Sequence, residues 1–553
     1  MTENLTLTAT WQADTYTLTF RTPLGSPVQS TMRVTYGQSV TLHDPVGIYY
    51  VHFAGWYHNG VRYESGVWEH VGDMTLTASF GSVQDDLPDT LHYDDVPVHI
   101  LTWSDAEKPE FAVNEDLLEN PRMQGIAYRN STVQSRLGVR LEFDATAGNS
   151  VNTANFVNRV DAACKSGLYE FDLVATYSRT AGALAARSLL IDLNTIGQSY
   201  LSVNNTGDDQ KPWWPKTLAD DMSIGGRLYL LSGDISIGTI DKMHCLYFNK
   251  DLADIRLAQE ASAAGASSGS ALLYQLVRDG TWTVDKLVEY ALGNFVDKGG
   301  NHTQDIGDIY GLCSVNYCAT ALYAGAGLRM LQNDPVRWLK LSKDAGSARA
   351  GQLVRKLSTL MTANDYFKGM TGSIQHYLTP FQRGESLFAL QYQECAENFL
   401  VNNDAVPRYG VLPCPKGDAE QAEYYSAVGN ACSVYGISRG CAPQNALQEH
   451  LTMLSAVLEC WACESFTVCT PLVLRHAQTQ DDVVMLEYVR AGIRFDLGGV
   501  LQNALGDKRP DALFIQACEN GTMWGSVWPG IEAEGEQRLY SFVATMQSNM
   551  PAG

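Results

Sequence analysis

Two stretches fit the Gly-x-Ser-x-Gly pattern that can raise a nucleophilic serine on a sharp strand-to-helix turn. Gly265-Ala-Ser-Ser-Gly269 lies in a run rich in Ala, Ser and Gly with no strand before it. Gly436-Ile-Ser-Arg-Gly440 follows the apolar Cys432-Ser-Val-Tyr435, but Pro443 delays any helix behind it. Both read as turns, with an esterase acting through Ser438 as the minor alternative. Cys460-Trp-Ala-Cys463 has redox spacing. It falls at the C-terminal end of a helical stripe, where the dipole does not activate a thiol, so core packing is expected. Cys313 and Cys318 lack partners at zinc-site spacing, and no His-Glu-x-x-His, P-loop or calcium-loop pattern occurs. No catalytic set, metal or cofactor is therefore expected.

The chemistry that does stand out is aromatic and amide side chains near turns. Pro212-Trp-Trp-Pro215 places Trp213 and Trp214 in a Pro-flanked loop, Tyr177 directly follows an apolar strand, and Tyr392 sits between Gln391 and Gln393 with Glu394 next. Tyr424 and Tyr425 precede a Gly and an Asn. Sugar sites need flat apolar faces for the pyranose C–H surface and amides or carboxylates for its hydroxyls.

The elements that must position these groups change along the chain. The short runs Tyr16-Thr-Leu-Thr-Phe20, Gln38-Ser-Val-Thr-Leu42 and Met74-Thr-Leu-Thr-Ala78 alternate in the manner of strands. Residues 13–82 are expected to form a small β module. Asn4-Leu-Thr-Leu-Thr-Ala-Thr-Trp11 matches Asp73-Met-Thr-Leu-Thr-Ala-Ser-Phe80. Residues 1–12 are therefore expected to be the last strand of a truncated upstream repeat. Residues 83–95 are acidic, carry a Pro and read as a linker. From residue 96 the pattern is α/β. Val98-His-Ile-Leu-Thr102 and Phe171-Asp-Leu-Val-Ala-Thr176 are strands. Phe156, Val157, Val160, Ala163 and Cys164 share a helical face, as do Leu447, Leu451, Leu454, Leu458 and Trp461.

The chain has 553 residues, with 45% hydrophobic and 18% charged. At about 100–200 residues per domain this implies two to four domains. The 39 Lys and Arg against 61 Asp and Glu leave a net charge of −22, which disfavours nucleic acid and anionic membrane as partners. No run of apolar residues is long enough for a transmembrane helix. The twelve cysteines are too few over this length for a disulfide framework and are expected to be mostly buried.

Residues 96–500 resemble extracellular solute-binding proteins of ABC transporters, family 1, the maltose-binding-protein-like group, and 96–553 are expected to form the solute-binding domain, with no specific motif in 501–553. The likeness rests on Asn130-Ser-Thr-Val-Gln-Ser-Arg-Leu-Gly-Val139, Phe171-Asp-Leu-Val174, Gly226-Arg-Leu-Tyr-Leu-Leu-Ser-Gly-Asp-Ile-Ser236 with Leu246-Tyr-Phe-Asn-Lys250, and Asp279-Gly-Thr-Trp-Thr283. Phe381-Gln-Arg-Gly-Glu-Ser-Leu-Phe388, Tyr409-Gly-Val-Leu-Pro413 and Glu423-Tyr-Tyr-Ser426 follow in order. Residues 13–82 resemble a Listeria-Bacteroides repeat, the internalin-type B repeat, through Tyr36-Gly-Gln-Ser-Val-Thr-Leu42, Phe53-Ala-Gly-Trp-Tyr57 and Asp73-Met-Thr-Leu-Thr-Ala78.

These resemblances imply a two-lobed α/β periplasmic-binding-protein type II fold with a hinge, preceded by a small β-grasp-like repeat module. The lobe crossings are expected near 241–247 and 425–432. The implied function is a cell-surface receptor, monomeric, that closes on a carbohydrate and presents it to an ABC permease. It performs no chemistry. Its leader and lipid-attachment Cys are expected upstream of Met1. The implied ligand contacts are Thr176, Tyr177 and Ser178; Asp234, Ser236, Asp241 and Lys242; Gln391, Tyr392, Gln393 and Glu394; and Tyr425 and Asn430. Trp213 and Trp214 are candidate stacking residues. The alternative from another class is an adhesin or cell-wall binding protein that attaches through its β repeats.

Overall fold

The computed structural model describes residues 13–21, 27–42, 51–58, 61–113, 120–206, 209–369, 374–397 and 408–550. The chain forms two compact units, Met1–Val83 and Gln84–Gly553. The match of residues 4–11 to 73–80 lies partly outside the described residues.

In the first unit, Leu18 and Phe20 point inward while Thr17 and Thr19, each preceding one of them, stay half-exposed, the period-two pattern of a half-buried strand. Five strands form one sheet: β1 (Thr15–Arg21), β2 (Pro27–Thr35), β3 (Val51–His58), β4 (Val61–Tyr63) and β5 (Met74–Ser82), in the order β2-β1-β5-β3-β4. β1 and β5 run parallel in the centre, with antiparallel neighbours on both sides. This is a β-grasp-like order. Leu18, Phe20, Trp56, Trp68 and Leu76 make its core, with Phe20 edge-on to Trp56 at 4.8 Å.

The second unit begins within the stretch expected to be a linker. Leu87 and Asp85 are buried, and Asp85 takes both arms of Arg136, one at 2.6 Å. The Tyr93 and Asp95 amides donate to Leu137 and Gly138 carbonyls, each at 2.8 Å. Acidic composition therefore marks an arginine-paired strap here, not a free connection.

The first lobe carries β6 (Val96–Trp103), β7 (Val139–Thr146) and β8 (Leu173–Tyr177), with β6 parallel to both others. β8 is buried throughout, as a central strand covered on both faces must be. Helix α1 (Pro121–Leu137) starts on an Asn120 cap with Pro121 in its first turn. It stops at Gly138 (φ 62°), which turns the chain directly into β7. A Cβ at Gly138 would lie 2.3 Å from the His92 ring, so only glycine fits. Helix α2 (Thr153–Ser166) buries Phe156, Val157, Val160 and Ala163, as its stripe predicts. Helix α3 (Ser178–Ala186) follows β8 without a loop, and the short α4 (Ile237–Asp241) leads to the first crossing.

The second lobe carries β9 (His244–Asn249), β10 (Tyr310–Ser314), β11 (Tyr366–Lys368), β12 (Ser386–Tyr392) and β13 (Tyr409–Leu412), ordered β11-β10-β12-β9-β13. The chain then returns as β14 (Ser433–Ile437), and the first sheet reads β7-β6-β8-β14. Each sheet thus has the same plan. The strand delivered by the crossing, β9 or β14, runs antiparallel beside the third parallel strand. This is the two-lobed periplasmic-binding-protein type II fold.

The crossings touch each other. The Gly429 amide donates to the Lys242 carbonyl at 2.8 Å, and Met243 bridges Val428. Ser426–Ala427 also pairs with Ile493–Arg494. Helix α5 (Leu447–Glu464) fills the first lobe's core, buries Cys460 and Cys463, and continues to Leu474. This run, Leu447–Leu474, is long and apolar enough by composition to cross a membrane, but most of it is buried inside the lobe. Helices α6 (Leu497–Val500) and α7 (Pro510–Asn520) close the far side of the cleft.

Candidate ligand-binding cavity

A cavity of about 580 Å³ opens where the crossings meet, within the size range of small-ligand sites. Its walls come from both lobes. Ser178 and Arg179 of α3 belong to the first lobe, and His244 of β9 and Tyr392 of β12 to the second. Gly429 and Asn430 lie on the return crossing, Arg494, Asp496 and Gly499 follow the helical core, and Arg509 and Asp511 begin α7. Tyr317, Tyr323 and Tyr392 supply aromatic surface.

The β8–α3 junction explains Ser178. With β8 running straight into helix, its hydroxyl donates to the Asn430 carbonyl at 2.7 Å and its amide to the Cys432 carbonyl at 3.0 Å. This ties the first-lobe wall to the crossing. On the opposite wall the His244 ring lies 4.6 Å from the Tyr392 ring, and Tyr317 stacks on Tyr392 at 6.1 Å. His244 Nδ1 is 3.0 Å from the Ala427 carbonyl, which only accepts, so Nδ1 carries the proton. Nε2 is then an acceptor, buried and without a partner among the described residues. Burial pulls the imidazole pKa down to about 4, so the ring is neutral at ordinary pH. Gly429 passes so close to Tyr392 that a Cβ would lie 2.6 Å from its ring.

Of the residues expected at the site, Ser178, Tyr392 and Asn430 line this cavity. The others do not line it; most of their polar groups are bonded within the fold, while Thr176 Oγ1 and Gln393 Oε1 are buried without a partner among the described residues. Trp213 and Trp214 are corrected most sharply. Both are buried, and their indole N–H groups donate to Glu459 at 3.1 and 2.9 Å. Glu459 also accepts from the Ser202 amide at 3.0 Å. The Pro-flanked loop is thus pinned inside the first lobe by a buried carboxylate.

The acidic candidates are likewise paired. Asp234 takes Arg490 at 3.0 Å and the Thr470 hydroxyl at 2.7 Å. Asp241 takes both arms of Arg122, at 3.2 and 2.7 Å. Glu394 holds Lys242 and lies 3.3 Å from Lys108. Lys242 also pairs with Glu107, and its ammonium sits 5.3 Å from the Tyr392 ring centroid. Ser236 caps α4 and donates to Glu110 at 2.7 Å. Gln391 accepts from Cys318 and from the Tyr392 amide at 2.7 Å, while Gln393 donates to the Val473 carbonyl at 3.1 Å. Thr176 and Tyr177 are buried at the end of β8, with Tyr177 against Trp103 at 5.6 Å. Tyr425 lies beneath the Arg494 guanidinium at 4.4 Å, one layer from the cavity.

Sequence reasoning missed His244, Arg179 and the wall made by residues 494–520. Arg179 stood one residue beyond the chosen loop, and His244 inside the first crossing stretch. The third wall joins the cavity only through tertiary packing, and no local pattern marks it. Ser438 is buried away from the cavity. Its hydroxyl accepts from the Gly440 amide at 3.3 Å and meets Cys164 Sγ at 3.7 Å, whereas His450 is engaged by Asp172 at 2.6 Å. Among the described residues no cluster of His, Cys, Asp and Glu suited to a metal occurs.

No family model and no curated protein matches the chain. Among solved structures it is similar to the cyclic alpha-maltosyl-1,6-maltose binding protein from Arthrobacter globiformis, at 12% identity, covering 81% of this chain and 99% of that one, with a TM-score of 0.48. It is also similar to the galacto-N-biose-/lacto-N-biose I-binding protein of the ABC transporter from Bifidobacterium longum, at 9% identity, 82% and 98% coverage and a TM-score of 0.44. A third is an ABC transporter solute binding protein from Agrobacterium radiobacter K84 in complex with ribitol, at 12% identity, 81% and 99% coverage and a TM-score of 0.42. The fold itself stands on the sheet order and crossings of this chain.

Proposed function

We propose that this protein is an extracellular receptor that binds a carbohydrate between its lobes and delivers it to an ABC importer. The observation that carries this reading is the cavity at the crossings, where Tyr392 and His244 of one lobe face Ser178 of the other across Asn430. Tyrosine faces suit the C–H surface of a pyranose, and an unpartnered imidazole acceptor suits a hydroxyl donor.

The mechanism follows from the same placement. A ligand that touches both walls favours the conformation in which the lobes are closest, and so shifts the population toward it. Lys242, Met243, Val428 and Gly429 are the residues through which the lobes turn. The permease reads the closed form. The β unit at residues 13–82 serves as a surface-protein repeat that carries the receptor outside the cell.

Thermal unfolding against a panel of mono- and oligosaccharides tests the reading. A ligand at one hundred times its dissociation constant adds about 2.7 kcal/mol to stability, which raises the melting temperature measurably. A shift with some solute class other than carbohydrate, and none with any saccharide, would defeat the assignment.

A further inference from the structure

The charge of the cavity runs against that of the chain. The sequence carries −22, yet Arg179, Arg329, Lys368, Arg494 and Arg509 line the cavity against Asp496, Asp511 and Glu519. Two of the cations are matched singly, Lys368 by Glu519 and Arg509 by Asp511 at 2.6 Å. Arg329 reaches behind the wall to Asp221 at 2.8 Å. Arg494 comes only within 3.8 Å of that same carboxylate, so Asp221 serves two arginines.

Arg179 is the cation left over. Among the described residues its guanidinium makes no hydrogen bond or ion pair, and its Nε is buried without a partner. The nearby charges are Arg509, which repels it, and Asp511, already held by Arg509. Desolvation moves its pKa below the usual guanidinium value. Asp496 contributes less than a full negative charge near neutral pH, because burial pushes its carboxyl up to about 7. A half-buried arginine without its own counter-ion costs free energy that an anionic ligand would offset.

We propose that the saccharide bound here is anionic, with its acid group paired to Arg179. This rests on the receptor reading above. A small inorganic anion would leave most of the 580 Å³ and the faces of Tyr317, Tyr323 and Tyr392 unfilled. A sugar acid uses both the charge and the rings.

Calorimetric titration of the full chain distinguishes the possibilities. The arms are oligogalacturonate for a carboxylate, a sulfated oligosaccharide for a sulfate ester, and a malto-oligosaccharide as the neutral control. One acidic arm is expected to bind, with an affinity that falls as salt rises. Arg179→Gln is expected to weaken it by roughly tenfold or more, and Arg179→Lys to restore most of the loss. Unfolding curves of the free variants show whether they fold. If Arg179→Gln does not, the acidic-against-neutral comparison on the unaltered chain decides. Tighter binding of the neutral sugar, or an unchanged acidic affinity in a folded Arg179→Gln, overturns the charge assignment and leaves the receptor reading intact. Failure of every saccharide overturns both.

Discussion

His244 Nδ1 lies 3.0 Å from the Ala427 carbonyl, so the first strand of the second lobe is bonded to the chain that returns to the first. One side chain therefore joins the hinge to the cavity wall. Its second nitrogen is left as an acceptor beside Tyr392. The position of Tyr392 and the spacing of the crossings are coupled through this contact.

Tyr392→Ala is expected to weaken saccharide binding by about 1–3 kcal/mol, in the range for loss of an aromatic anchor. Its effect on the unfolding of the free protein is expected to be smaller. Titration calorimetry with parallel melting curves checks this; unchanged affinity would remove Tyr392 from the site.

Trp213→Ala is expected to do the reverse. The indole is fully buried and bonded to Glu459, so its removal leaves a cavity and costs about 3–5 kcal/mol of stability. Denaturant unfolding measures the loss. A folded variant of ordinary stability with impaired binding would instead return Trp213 to the ligand site.

Gly429→Ala places a methyl group 2.6 Å from the Tyr392 ring. Either the ring or the return crossing must shift, so affinity is expected to fall about tenfold or more, with a modest change in melting temperature. Equal affinities would mean that the crossing relaxes without disturbing the wall.

Asp496 gives a pH prediction. An unfolded aspartate titrates near 4, and the enclosed one at about 7. Between those values the folded state keeps a proton the unfolded state has lost, so this group's contribution to stability falls as pH rises from about 4 to 7 and is lowest above 7. Asp496→Asn is expected to raise the melting temperature relative to the unaltered chain more at about pH 8 than at about pH 5. A difference independent of pH would contradict the shift.

The cysteines give a simple count. Eleven of the twelve are buried and Cys164 is half-exposed, with burial pushing thiols such as Cys313 and Cys414 up to about 12. A thiol reagent is expected to label Cys164 first and the others only on unfolding. Rapid native labelling of several thiols would show a looser core.

Legibility in the sequence followed the range of the forces involved. The strand Leu173–Tyr177 and the helical stripe of Leu447 to Glu464 were visible because burial imposes a period on neighbouring residues. The crossing stretches near 241–247 and 425–432 were instead implied by the family resemblance, since no local period marks them. Partners were not visible. Asp234 reads as a free carboxylate until Arg490, 256 residues later, is placed on it. Trp213 and Trp214 read as an exposed stacking pair, although Glu459 inside an otherwise apolar stripe was the sign of a buried acceptor needing donors. Residues 494–520 reach the cavity only after the two lobes have formed, and no local spacing encodes that.

The most direct test of the central claim fills the cavity from within. Gly499 lines it, and a Cβ there would meet nothing within 4 Å, so the side chain of Gly499→Trp starts from open space at the cavity and is expected to fill it. The measurement is calorimetric titration of both chains with whichever oligosaccharide of the panel gives the largest thermal shift. The account predicts one-to-one binding by the unaltered chain and its loss in a Gly499→Trp protein that melts normally. Undiminished binding by that variant would contradict it and place the ligand elsewhere.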